Sequence, residues 1–165
     1  MARSSPGGID FEALYRTSRD DVYAYVAGVV RDRAAAEEVT SIAFERALTR
    51  SHSFSPERGS ARGWLFGIAR NAAYDELRRR ARTEPVAEPE ERSPPAGDTT
   101  ADAAVRQATV AAALSTLGDD ERELVKLKFD AGLSNREIGD VLGLSESNVG
   151  TRLCRVVGKL RTTMA

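Results

Sequence analysis

Between Thr83 and Thr100 the chain carries four prolines, Pro85, Pro89, Pro94 and Pro95, and five acids, Glu84, Glu88, Glu90, Glu91 and Asp98, with Val86 as its one large apolar side chain. Such a segment cannot bury enough surface to offset the entropy of ordering it, and its prolines remove amide donors that a helix or sheet would use. It reads as a flexible acidic linker, and it forces the 165 residues into two small units instead of one medium one. The boundaries fall at 1–82, 83–102 and 103–165. Units that small need compact helical cores, and Ala, Leu, Arg and Glu dominate while β-branched and aromatic runs are scarce. The expected fold class is therefore all-α: two small helical domains joined by a flexible acidic linker.

The net charge of −1 conceals an uneven distribution: +3 over residues 1–82, −5 over 83–105 and +1 over 106–165. An acidic middle cancels two mildly basic ends, so the average does not exclude a nucleic-acid partner. One cysteine, Cys154, and one histidine, His52, allow neither an internal disulfide nor a Cys/His zinc site. No metal and no cofactor are expected. No apolar stretch approaches the ~20 residues of a membrane helix, and the start Met1-Ala2-Arg3-Ser4-Ser5-Pro6 lacks the apolar core of a signal peptide, so the expected location is cytoplasmic, away from membranes. Enzyme chemistry is not expected either. His52 stands alone in a loop, Cys154 has no His partner and reads as a small, partly buried helix residue, and no phosphate-cradling glycine loop follows a strand.

In the first domain, Phe11, Leu14, Tyr15, Val22, Tyr25, Val26 and Val29 recur at helical spacing, predicting a core-facing helix within Ile9–Val30. Asp32 can cap a second helix with Val39, Ile42, Ala43 and Ala47 inward. Ser51 to Gly59 breaks the pattern as a loop. A third helix follows from Ser60 to Arg82, with Trp64, Leu65, Ile68, Ala69, Ala72 and Leu77 inward and Arg62, Arg70, Arg78, Arg79 and Arg80 on the surface. Beyond the linker, helical patterns run from Ala101 to Leu117 and from Asp119 to Phe129.

The last segment is the most specific. Ser134-Asn135-Arg136-Glu137 reads as a capping box, its helix ends at Gly143, and Ser145 caps a final helix with Val149, Leu153, Val156 and Leu160 inward. With small Gly139 permitting a close crossing, this is a helix-turn-helix. At 100° per residue, Ser147, Asn148, Thr151, Arg152 and Arg155 point away from the apolar stripe, with Lys159 a turn further on. Arg suits guanine edges, Asn adenine, and Ser or Thr either bases or phosphates, so that face fits a major groove.

A second constellation interleaves aromatics with arginines from Ala61 to Arg80, a mixture that attracts phosphates and stacks unpaired bases. Within it, Trp64-Leu65-x-x-Ile68-Ala69-Arg70-Asn71-x-x-x-Asp75-x-Leu77-Arg78-Arg79 resembles the promoter-melting segment of extracytoplasmic-function sigma factors, the smallest members of the main bacterial sigma family. Leu114-Ser115-Thr116-Leu117, Glu121-Arg122-Glu123 and Leu133 to Arg161 resemble that family's fourth domain. The resemblance implies an alternative sigma factor, working with promoter DNA, duplex and melted, and with core RNA polymerase through its β′ clamp and β flap. It also implies an anti-sigma protein and, through the polymerase, association with the nucleoid. By position, Phe54, Arg62, Trp64, Asn71, Asp75, Arg78 and Arg79 would serve the minus-ten element. Ser147, Asn148, Thr151, Arg152, Arg155 and Lys159 would serve the minus-35 element, and Glu37, Glu38, Ser41 and Arg46 the polymerase. Ser41, Ile42, Gly118 and Gly150 depart from the commoner residues of the family at those positions.

Two other readings fit part of the chain. Leu133–Leu160 alone would suit a LuxR-type regulator, but nothing ahead of it reads as an α/β sensing domain. A pure interaction module that sequesters a partner would need no DNA-facing residues.

Overall fold

The computed structural model describes residues 8–83 and 100–165; the expected linker lies almost wholly outside them. The described residues form helices and turns, with no strand among them. Helix α1 (Phe11–Val30) is capped by Asp10, whose carboxylate accepts from the Ala13 amide at 3.1 Å. It ends where Arg31 turns left-handed (φ 53°), and Asp32 at once caps α2 (Arg33–Thr49), accepting from the Ala35 amide at 2.9 Å. Two short 3₁₀ turns, Ser51–Ser53 and Pro56–Arg58, fill the expected loop before α3 (Ala61–Thr83). The three helices pack on Val22, Tyr25, Val26, Val39, Ala43, Leu65, Phe66 and Ala69, all essentially without solvent contact.

The second domain contains α4 (Ala101–Ser115), α5 (Asp119–Val125), α6 (Asn135–Leu142) and α7 (Glu146–Met164). The helix expected from Asp119 to Phe129 changes pitch instead: α5 stops at Val125 and a π-helical turn continues over Lys126–Asp130. The wider turn places both Leu127 and Ala131 in the interior, and the Leu133 amide returns to the Leu127 carbonyl at 3.1 Å. Helices α3 and α4 reach Thr83 and Ala101, slightly inside the expected linker.

The two domains are docked. Helix α6 lies on α3 and the π-turn lies on α1, so Leu124, Leu127, Leu133, Ile138 and Val149 join the core built on the first three helices. Helix α4 contributes little to that core: Ala113 is its one buried residue, and Val105 and Val110 are exposed.

Candidate nucleic-acid interface

In the helix-turn-helix, Ser134 accepts from the Glu137 amide at 3.2 Å while the Glu137 carboxylate accepts from the Ser134 amide at 2.9 Å, completing the expected capping box. Gly143 ends α6 in the left-handed region (φ 69°), and Ser145 caps α7 by accepting from the Asn148 amide at 3.2 Å. Gly139 is the crossing point. A β-carbon there would lie 2.5 Å from the Leu144 carbonyl oxygen, so α6 meets the turn that leads into α7 at a distance only glycine allows.

With Val149, Leu153 and Val156 buried, Ser147, Asn148, Thr151, Arg152 and Arg155 all emerge on the exposed face of α7. The Asn148 side-chain carbonyl accepts from Arg152 Nε at 2.9 Å, which holds an amide and a guanidinium side by side. Arg155 has no hydrogen-bond or ion-pair partner within the described residues. Lys159 differs: it donates to Glu121 on α5, a contact a phosphate would have to displace. That pairing also draws Glu121 below its usual carboxylate range, with the Lys159 hydrogen bond the main cause. Cys154, expected to be partly buried, is exposed beside Arg155 because it points about 100° around the helix from Leu153, away from the buried stripe of Val149, Leu153 and Val156.

On the first domain, Phe54 and Trp64 are half-buried against each other, ring centroids 5.5 Å apart. Asn71 is exposed one turn before Asp75. Asp75 accepts from Arg46 at 3.3 Å and from Arg78 at 3.0 Å, joining one residue expected to face the polymerase with two expected at the minus-ten element. Arg79 is held by both oxygens of Glu76, at 2.8 and 2.9 Å, with Arg80 donating to the same carboxylate. Those guanidinium hydrogen bonds, Arg79's foremost, lower the Glu76 pKa to about 2. Glu37, Glu38 and Ser41 line the outer face of α2. Arg62 does not sit on the open surface as expected. It is largely covered, donating to Asp21 at 2.6 Å, to Ser18 at 3.2 Å and to the Ala131 carbonyl of the other domain.

Sequence reasoning missed a buried polar centre between the domains. Glu123 is 5 % exposed, and its carboxylate accepts from Tyr25, from Tyr74 at 2.7 Å and from Arg70 at 3.1 Å. Burial, then Glu123 itself, raises both phenols, Tyr74 to about 12. The signal was present: Glu123 is four residues before Leu127, so an acid occupies a position on an inward stripe.

Family models place this geometry. Sigma-70 region 2 matches residues 14–83 and sigma-70 region 4 matches residues 107–160. The ECF RNA polymerase sigma factor SigL of Mycobacterium tuberculosis is 32 % identical over 99 % of this chain and 96 % of its own length. The structure of CnrH in complex with the cytosolic domain of CnrY is similar at a TM-score of 0.66 and 25 % identity, over 93 % of this chain and 86 % of that one. The sigma factor RpoE, solved with the anti-sigma factor NepR from Bartonella quintana, shares the fold at a TM-score of 0.68 and 20 % identity, over 94 % and 96 % of the two chains. Region 2 ahead of the helix-turn-helix leaves no place for a LuxR-type reading, and sigma factors are initiation factors and not enzymes. An all-α pair of domains carrying both regions, with a full-length relative at that identity, makes this chain a member of the ECF sigma factor family.

Proposed function

We propose that this chain binds core RNA polymerase and directs it to a two-part promoter, with α7 reading the minus-35 duplex and α3 with the preceding loop capturing the melted minus-ten strand. The observation that carries this reading is the exposed row Ser147, Asn148, Thr151, Arg152 and Arg155 on a helix fixed by two caps and the Gly139 crossing. The donors on that face can reach base edges without disturbing the packed stripe behind them.

On the first domain, the Phe54–Trp64 pair offers an aromatic platform, and Asn71 and Asp75 offer polar edges for unstacked bases. Arg78 and Arg79 lie where they can steady a backbone, although each first has to exchange its carboxylate partner for phosphate. Glu37, Glu38, Ser41 and Arg46 form the polymerase-facing side of α2, toward the β′ clamp, while the second domain meets the β flap. An anti-sigma protein is the regulatory partner we propose, in keeping with CnrH having been solved in complex with the cytosolic domain of CnrY. The acids Glu84, Glu88, Glu90, Glu91 and Asp98 between the domains would be attracted to a basic polymerase channel, their charge standing in for a nucleic-acid backbone.

The test is reconstitution. Core polymerase with this chain should give discrete run-off products from genomic templates that core alone does not give. Tight duplex binding by the free chain, with no change in polymerase selectivity, would overturn the reading.

A further inference from the structure

We propose that Arg46 is a positioning residue for the minus-ten site: with Arg78 it aims the Asp75 carboxylate as an acceptor that selects an unstacked base carrying an exocyclic amine. The proposal rests on the promoter reading above and names which bases that site takes. Arg46 stands apart from the other polar residues of α2. At 100° per residue it lies about 180° around the helix from Glu37 and about 140° from Ser41, and it is half-buried where those two are exposed. Its guanidinium turns instead to α3, where Nη1 donates to Asp75 Oδ2 at 3.3 Å.

The other oxygen of that carboxylate is engaged too. Arg78 Nη2, one turn along α3, donates to Asp75 Oδ1 at 3.0 Å, so each oxygen holds one guanidinium, one from each helix. The side chains of Arg46, Asp75 and Arg78 are 37, 52 and 66 % exposed, and ion pairs that open to water contribute little to stability. What they set is direction. Arg78 stands on the same helix as Asp75 and moves with it, whereas Arg46 reaches across from α2 and ties the carboxylate to the body of the domain.

The same side of α3 is equipped for a single strand. By the 100° rule Trp64, Asn71, Asp75 and Arg78 fall within about 60° of one another, so an aromatic, an amide, a carboxylate and a guanidinium follow in a row. Phe54 packs on the aromatic end of that row.

Chemistry then restricts the base. A carboxylate accepts and does not donate, and two guanidinia leave about two of its roughly four lone-pair sites open. Adenine, cytosine and guanine each offer an exocyclic amine to such an acceptor. Thymine offers only an imide N–H between two carbonyls, whose oxygens repel the carboxylate. The arginines also offset a negative charge that would otherwise repel the phosphates of the strand. Without Arg46 the carboxylate can follow Arg78 toward solvent, so the acceptor survives and its aim is lost.

Selection on pre-melted templates reads that aim. Core polymerase saturated with the full chain is offered bubble templates whose unpaired minus-ten strand is randomised, and the retained strands are sequenced. Wild type should deplete thymine severalfold at one position. Arg46→Ala should return that position to an even base distribution while preferences at its neighbours persist, and Arg46→Lys, which keeps a charged donor, should restore most of the depletion. Asp75→Asn, whose amide both donates and accepts, should admit thymine there. Saturation keeps any contact between Arg46 and the polymerase out of these profiles, and a merely structural Arg46 would flatten every position together. An Arg46→Ala profile identical to wild type, flattening at all positions alike, or the lack of any position at which wild type depletes thymine would overturn the proposal and leave the promoter reading standing. If wild type retains the same strands as core alone, the promoter reading fails, and the proposal with it.

Discussion

Gly139→Ala isolates what the helix-turn-helix demands of its crossing. The added β-carbon would sit 2.5 Å from the Leu144 carbonyl oxygen and 3.5 Å from its carbon, and both are backbone atoms that cannot swing aside. Leu144 is further pinned by its amide, which donates to the Gly139 carbonyl at 3.0 Å. Relief requires α6 and the turn to part by the better part of an ångström, an overpacking cost of about 1–3 kcal/mol. Against this, Gly→Ala inside a helix returns about 0.5–1 kcal/mol. The net expectation is a loss of about 1–2 kcal/mol, a fall in Tm of roughly 3–6 °C for a chain of this size, read by circular dichroism at 222 nm. The same change at Gly158, inside α7 with nothing within 4 Å of an added β-carbon, should instead raise Tm by a few degrees. Gly139→Ala should also weaken minus-35 binding, because the turn sets the angle of α7. A Tm for Gly139→Ala equal to or above the wild type would refute the close-crossing argument.

Other expectations follow from the same contacts. Arg152→Ala with Arg155→Ala should weaken promoter binding, by about 1–3 kcal/mol for each arginine that reads a base, while Tm and assembly with polymerase stay unchanged; a lowered Tm would make these arginines structural. Asn71→Ala with Asp75→Ala should slow promoter opening more than initial duplex recognition, measured on duplex and pre-melted templates; normal behaviour on both would remove base capture. Tyr74 has its pKa raised, by burial first and the Glu123 hydrogen bond second, to about 12. The stability this phenol lends is therefore complete below its unfolded value of about 10 and is lost as pH rises through about 12. Tyr74→Phe should remove tyrosinate absorbance at 295 nm that appears only above about pH 11; loss of amplitude centred near 10 would contradict the buried pairing.

Most of the helical architecture was legible because the signals were local. Asp32, Ser134 and Ser145 cap the helices that follow them, and the 3.6-residue stripes placed Val22, Val39, Leu65 and Val149 in the core, but they left out Phe44, Phe66, Leu127 and Ile138 and put Tyr15, which is exposed, on the inner face. The exposed face of α7 followed from the same periodicity, since burying Val149, Leu153 and Val156 leaves Ser147, Thr151 and Arg155 on the far side. Features that depend on the other domain were not legible. Arg62 reads as one more surface arginine until Ala131, 69 residues away, supplies a carbonyl. Glu123 stands on an inward stripe in the sequence, but the donor that satisfies it there is not legible: Tyr25 lies 98 residues away. The π-turn at Lys126–Asp130 has no composition that marks it, and it exists where α1 packs against the chain. Cys154, in the middle of α7, was expected to be partly buried from its small size, although it lies off the stripe of Val149, Leu153 and Val156.

The central claim, that this chain selects promoters for a polymerase, is tested most directly by sequencing the 5′ ends of transcripts made on fragmented genomic DNA by core polymerase with and without it. The account predicts new ends at discrete positions, each preceded by two short motifs at one fixed spacing. A distribution of ends identical to that of core alone would contradict it.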